Sequence, residues 1–160
     1  MRVYTASKTT HAHMWKSLRT EGVDVVSTWI DEAGEGQTAS YAELSQRCIE
    51  EVRKAEILIL YCEPGEVLRG ALIEAGVALT LGKPVFCTGF CNSLSRVFTQ
   101  HPLWHSCPSV PEAIRAAIQL LGDEDWNQQP EGWQTEGKKG LAGRKPAGVL
   151  PASSKPKRPA

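Results

Sequence analysis

The sequence predicts an α/β fold: a Rossmann-like or flavodoxin-like parallel sheet of four or five strands with helices on both faces. Three observations predict it. Short apolar runs alternate with helical stretches over the first 121 residues, the rhythm of strand–helix–strand units with right-handed crossovers. One run, Ile-Leu-Ile-Leu-Tyr-Cys at 57–62, is apolar without alternation, as a central parallel strand buried on both faces would be. The segment Gly82-Lys83-Pro84 ends a helical stretch and leads directly into another apolar run.

Taken in order, Arg2–Ala6 is the opening strand. Thr10–Thr20 is a helix with Met14, Trp15 and Leu18 at helical spacing and Gly22 as its stop. Asp24–Thr28 is a second strand, and Trp29–Gln37 a polar, glycine-containing loop. Thr38–Ala55 is the longest helix, started by Thr38 or Ser40, with Leu44, Cys48, Ile49 and Val52 on one face. The third strand lies in Glu56–Cys62, and Glu63–Val67 is a loop. Leu68–Leu81 is a helix, Val85–Thr88 a fourth strand, Leu94–Thr99 a short helix, Trp104–Ser106 a weak strand and Pro111–Leu121 the last helix. This domain occupies 1–122. From Asp123 apolar periodicity stops, and beyond Glu136 there are seven Lys or Arg and no acid. Residues 123–160 read as a flexible basic tail, in which Trp126 and Trp133 are the two unexpected aromatics.

Composition bounds the function. Lys+Arg and Asp+Glu are 18 each, so the surface as a whole is not built for nucleic acid, and only the basic tail offers it charge. No apolar run reaches the roughly 20 residues that span a bilayer, and the N-terminus turns polar too soon for a secretory leader. Cysteines 48, 62, 87, 91 and 107 are odd in number and lack metal spacing, which reads as reduced thiols in a cytoplasmic protein. His11 and His13 have no third ligand at useful spacing, so no metal is expected. No Walker loop or G-x-G-x-x-G occurs, and no cofactor is expected.

In parallel sheets ligands bind beyond the carboxyl ends of the strands. That rule selects four loops: Ser7–Thr10, Trp29–Gln37, Glu63–Val67 and Thr88–Ser93. Next to the third of these, Gly70 sits near the start of the Leu68–Leu81 helix and lets a ligand or another backbone approach closely. Glu74 lies one turn further in, near the positive helix end, which favours an ionised carboxylate. Ser7, Lys8 and Thr9 offer hydroxyls, a cation and helix-start N–H groups that suit an anion, or simply cap the helix. Arg69 is a second cation nearby. Trp29 offers a flat face to a base and Asp31 a hydrogen-bond acceptor, although Trp29 equally suits a core plug.

The pattern Gly70-x-x-x-Glu74-x-Gly76-x-Ala78, followed by Gly82-Lys83-Pro84-Val85, resembles the signature of the nucleoside 2-deoxyribosyltransferase family, which includes 2′-deoxynucleoside 5′-monophosphate N-glycosidases. The opening Val3-Tyr4-Thr5-Ala6-Ser7 is similar to that family's first strand and turn, and the likeness runs over roughly residues 2–90. The resemblance implies that Glu74 is the nucleophile, that Tyr4 positions it or the sugar, and that Ser7 and Lys8 meet the 5′ end. It also implies a second acid, an Asp in the family. Here the loop holds Glu63 and Glu66, and position 68 is Leu68. Glu63 is therefore the candidate for the assisting acid. The expected partner is a nucleoside or nucleotide, and the expected assembly a homo-oligomer. Two rivals remain: a non-catalytic nucleotide-binding or signalling module on the same fold, and an interaction protein whose basic tail is the working part.

Overall fold

The computed structural model describes residues 1–34, 36–89 and 96–122, and the side chains of 96 and 97 are not among those described. The tail 123–160 with its two tryptophans, Cys91, most of the Thr88–Ser93 loop and the start of the Leu94–Thr99 helix lie outside these residues.

Five parallel strands form one sheet in the order β2-β1-β3-β4-β5, with β1 at Arg2–Ala6, β2 at Asp24–Val25, β3 at Ile57–Cys62, β4 at Val85–Gly89 and β5 at Trp104–Cys107. The helices are α1 (Ala12–Thr20), α2 (Tyr41–Lys54), α3 (Gly70–Thr80), α4 (Arg96–Thr99) and α5 (Val110–Leu121). Helices α2 and α3 pack together on one face, with α3 against β1, β3 and β4, while α5 packs against β3, β4 and β5. The α/β fold class expected from the sequence is the one observed. No helix among the described residues is long and apolar enough to cross a membrane.

The three central strands carry the core. Val3, Tyr4, Ile57, Ile59, Leu60 and Val85 are fully buried, because strands covered on both faces must be apolar at every position. Helix ends are fixed by short sequence devices. Ser40 caps α2 by accepting from the Glu43 N–H, and Ser109 caps α5 by accepting from the Glu112 N–H, each a Ser-x-x-Glu box.

The second strand is shorter than the expected Asp24–Thr28. The Val26 N–H still donates to the Val3 carbonyl at 2.9 Å, but the ladder is then taken over by a side chain. The buried Ser27 hydroxyl oxygen accepts from the Thr5 N–H at 2.6 Å and from the Thr5 hydroxyl at 3.0 Å. The chain after it is not the expected open loop. Thr28–Glu32 forms a 3-10 turn that buries Trp29 and Ile30. Its start is capped from α2: the Glu51 carboxylate accepts from both the Thr28 N–H and the Thr28 hydroxyl. Arg47, one turn earlier on α2, pairs with Glu32. These contacts fix the register of α2 over β1.

At the far end of the sheet Gly89 sits opposite Cys62 in the β3–β4 register, with φ of +79°. A Cβ there would lie 2.0 Å from the Cys62 carbonyl oxygen. Gly89→Ala combines a strained φ with a backbone clash and is expected to destabilise the domain by about 3 kcal/mol. Urea denaturation of the two proteins, comparing midpoints at equal slope, checks this.

Candidate functional site

Between β1 and β3 the strand order reverses, because β1 connects outward to β2 while the chain then crosses to β3 on the other side. Loops leaving the carboxyl ends of β1 and β3 diverge there and leave a crevice. A cavity of about 590 Å³ opens at that place. It gathers seven of the residues that the sequence singled out: Ser7, Lys8, Thr9, Trp29, Arg69, Gly70 and Glu74.

Glu74 comes from the first turns of α3 and faces this cavity, with Cys48 of α2 alongside. Tyr4, from β1, lies beneath them with no exposed surface. Its hydroxyl is aimed at Glu74 and Cys48 but completes strict hydrogen-bond geometry with neither. The helix end predicts a readily ionised Glu74, and the structure reverses the balance. Burial raises the Glu74 carboxyl above the ordinary range, the Tyr4 hydroxyl and Cys48 thiol pull it back, and the Glu51 carboxylate adds to the rise. Desolvation outweighs the partial charge of the helix end because the group is half-buried in apolar surroundings. Burial, followed by the Glu74 charge, likewise keeps the Tyr4 phenol protonated.

Two cations also line the cavity. Lys8 and Arg69 reach it from the two diverging loops. No side chain caps α3 at Arg69, and Gly70 and Ala71, at the helix start, line the cavity. Their N–H groups have no intrahelical acceptor and form a natural anion site. The Ser7 hydroxyl is already engaged: it accepts from the Trp15 indole N–H at 2.8 Å and donates to the Lys8 carbonyl at 3.0 Å. Trp29 is both a core residue and part of the wall. It is 7 % exposed, and its indole N–H donates to the Thr5 carbonyl at 2.8 Å, which fixes the ring.

Two residues that the sequence singled out stand elsewhere. Asp31 is held by Arg19 in an ion pair of 2.9 Å, and the same guanidinium donates to the carbonyls of Val25 and Ser27. The pair ties α1 to the 3-10 turn and leaves Asp31 outside the cavity. Glu63 also does not line the cavity. It is half-exposed, accepts from the Tyr61 hydroxyl at 3.2 Å and lies 3.9 Å from His11 Nδ1.

Its neighbour Glu66 is the more deeply committed carboxylate. It accepts from the Glu63 N–H at 2.9 Å, meets His11 Nε2 at 3.0 Å, and lies 3.8 Å from the Lys8 ammonium. Burial opposes its ionisation, but the Glu63 N–H, His11 and Lys8 together hold it below the ordinary range. His11, Glu63 and Glu66 offer ligand atoms within 4.8 Å of one another, a group that could hold a metal ion. Local spacing around His11 did not reveal it, because both acids arrive from a loop more than fifty residues later. Lys8 already supplies a cation to Glu66 there. Cys48, Glu51 and Glu66 are the residues near the cavity that sequence reasoning passed over, and only Glu66 had a signal, its place in a loop at a strand's carboxyl end.

No protein-family model matches the chain, and no curated protein matches it in sequence. Solved structures do match. A 2-deoxyribosyltransferase from the psychrotolerant bacterium Bacillus psychrosaccharolyticus is similar with a TM-score of 0.53 and 19 % identity, over 68 % of this chain and 87 % of that one. A CMP N-glycosidase of Clostridium botulinum is similar with a TM-score of 0.50 and 16 % identity, over 76 % of this chain and 98 % of that one. Likeness at such identities is one of chain path, since one fold hosts many activities. In its five-stranded sheet and the helices around it, the chain has the fold of the 2-deoxyribosyltransferase and CMP N-glycosidase structures.

Proposed function

We propose that the protein cleaves or transfers the N-glycosidic bond of 2′-deoxynucleosides or their 5′-monophosphates, with Glu74 as the nucleophile. The single observation that carries this reading is Glu74 at a strand-order reversal, inside a cavity that Lys8, Arg69 and the start of α3 also line. A carboxylate below the sugar ring stabilises an oxocarbenium-like transition state and then bonds to C1′ as the base departs. Water or a second base afterwards takes the sugar and restores the carboxylate. The 5′-phosphate would sit against Lys8, Arg69 and the first N–H groups of α3. Trp29 would offer the base an aromatic face.

Protonation of the leaving base is assigned to Glu63. Glu66 is held ionised by its partners, which leaves Glu63 of the same loop as the acid, and its side chain would have to turn toward the cavity to reach the base. Tyr4 holds Glu74 from beneath, as its position under the carboxylate supports. A second reading, nucleotide binding without turnover, is favoured by one feature: Glu74 is the sole carboxylate among the lining residues described.

Incubation with common deoxynucleosides, their 5′-monophosphates and CMP, with and without free adenine, followed by chromatography of released base, tests both readings. Release of base supports the first; binding by calorimetry without release supports the second. Glu74→Gln is expected to lower kcat by about a thousandfold or more while the protein stays folded. Lys8→Ala should raise KM for monophosphates about tenfold and leave nucleosides within about twofold. Because burial raises the Glu74 carboxyl and only its ionised form attacks, kcat/KM should fall toward acid with a midpoint above that of an ordinary glutamate.

A further inference from the structure

We propose that Cys48 is a positioning residue of this site: its thiol, at the cavity surface above the buried Tyr4, holds the Glu74 carboxylate from the α2 side. The inference rests on the reading of Glu74 as the reacting group.

Cys48 is 7 % exposed, and it lines the same cavity as Glu74. Its placement is enforced. Helix α2 cannot slide, because Glu51 caps the 3-10 turn at Thr28 and Arg47 pairs with Glu32. Those contacts flank Cys48 on both sides along the chain. The Tyr4 hydroxyl is buried without a completed partner and is directed at this thiol and at Glu74. Three polar groups from β1, α2 and α3 therefore converge where the surroundings are otherwise core.

The chemistry of the thiol fits the task. Burial, with the nearby Glu74 and Glu51 charges, pushes its pKa up to about 11, so it remains an S–H donor and is no nucleophile itself. A buried carboxylate without donors is costly, yet a strong cationic donor would quench its attack. A weak S–H and a phenol O–H hold it while leaving its electron pairs available. The charged and titratable groups around this cluster are Tyr4 from β1, Arg47 and Glu51 from α2, and Lys8 and Arg69 in the cavity lining.

The deciding experiment is titration of Glu74 by carbon NMR in the full chain labelled at the glutamate carboxyl, with Glu74→Gln identifying the resonance. Cys48→Ala should move the Glu74 midpoint to higher pH, and Cys48→Ser should restore it toward the original. In turnover, kcat of Cys48→Ala should fall about tenfold at pH 5 and stay within about twofold at pH 8. An unmoved midpoint in a folded Cys48→Ala overturns the proposal. Absence of turnover in the unsubstituted protein overturns the glycosidic reading instead, and the NMR midpoint still decides whether Cys48 holds Glu74.

Discussion

The reversal of strand order between β1 and β3 is the constraint from which the rest of the molecule follows. A parallel sheet that grows in one direction leaves no gap between its loops, whereas one that turns back on itself must open a crevice at the turn. Here β1 and β3 are the two edges of that seam. The turn after β1 brings Lys8, the loop after β3 leads into α3, and α2 crosses above to bring Cys48. The chemical groups are drawn from four separate elements, and none of them would meet without the reversal.

Around the seam the protein places its charges in two zones of opposite character. Glu66 is surrounded by donors and stays ionised. Glu74 is surrounded by a phenol, a thiol and apolar surface and is harder to ionise. Two carboxylates on neighbouring segments are thus pushed apart in acidity by environment alone. Glu66 joins the β1 turn to the β3 loop through Lys8 and His11, which makes it a brace. Glu74 faces the cavity instead.

Much of the fold was legible in the sequence, for physical reasons that differ by element. The run at 57–62 could only be a doubly covered strand, and Gly82-Lys83-Pro84 could only end a helix. The second strand was overestimated because Ser27 substitutes its hydroxyl for a ladder partner, an exchange that no pattern of hydrophobicity records. The Thr28–Glu32 turn was read as loop because its cap, Glu51, arrives from another helix. At the cavity, Glu74 and the Ser7–Thr9 turn were visible through local spacing. Cys48 was not: between Leu44 and Val52 on one helix face it looks like any core position. Asp31 looked available until Arg19 claimed it.

The direction of β1 has a practical corollary. Met1 lies at the amino ends of the strands, where its ammonium is 3.9 Å from Glu56, and the cavity lies beyond the carboxyl ends. Five strand residues separate the two, a rise of roughly 16 Å through the densest part of the core. A fluorophore fixed at Glu56, beside Arg2 at those amino ends, would therefore be held away from the cavity by the length of the strands.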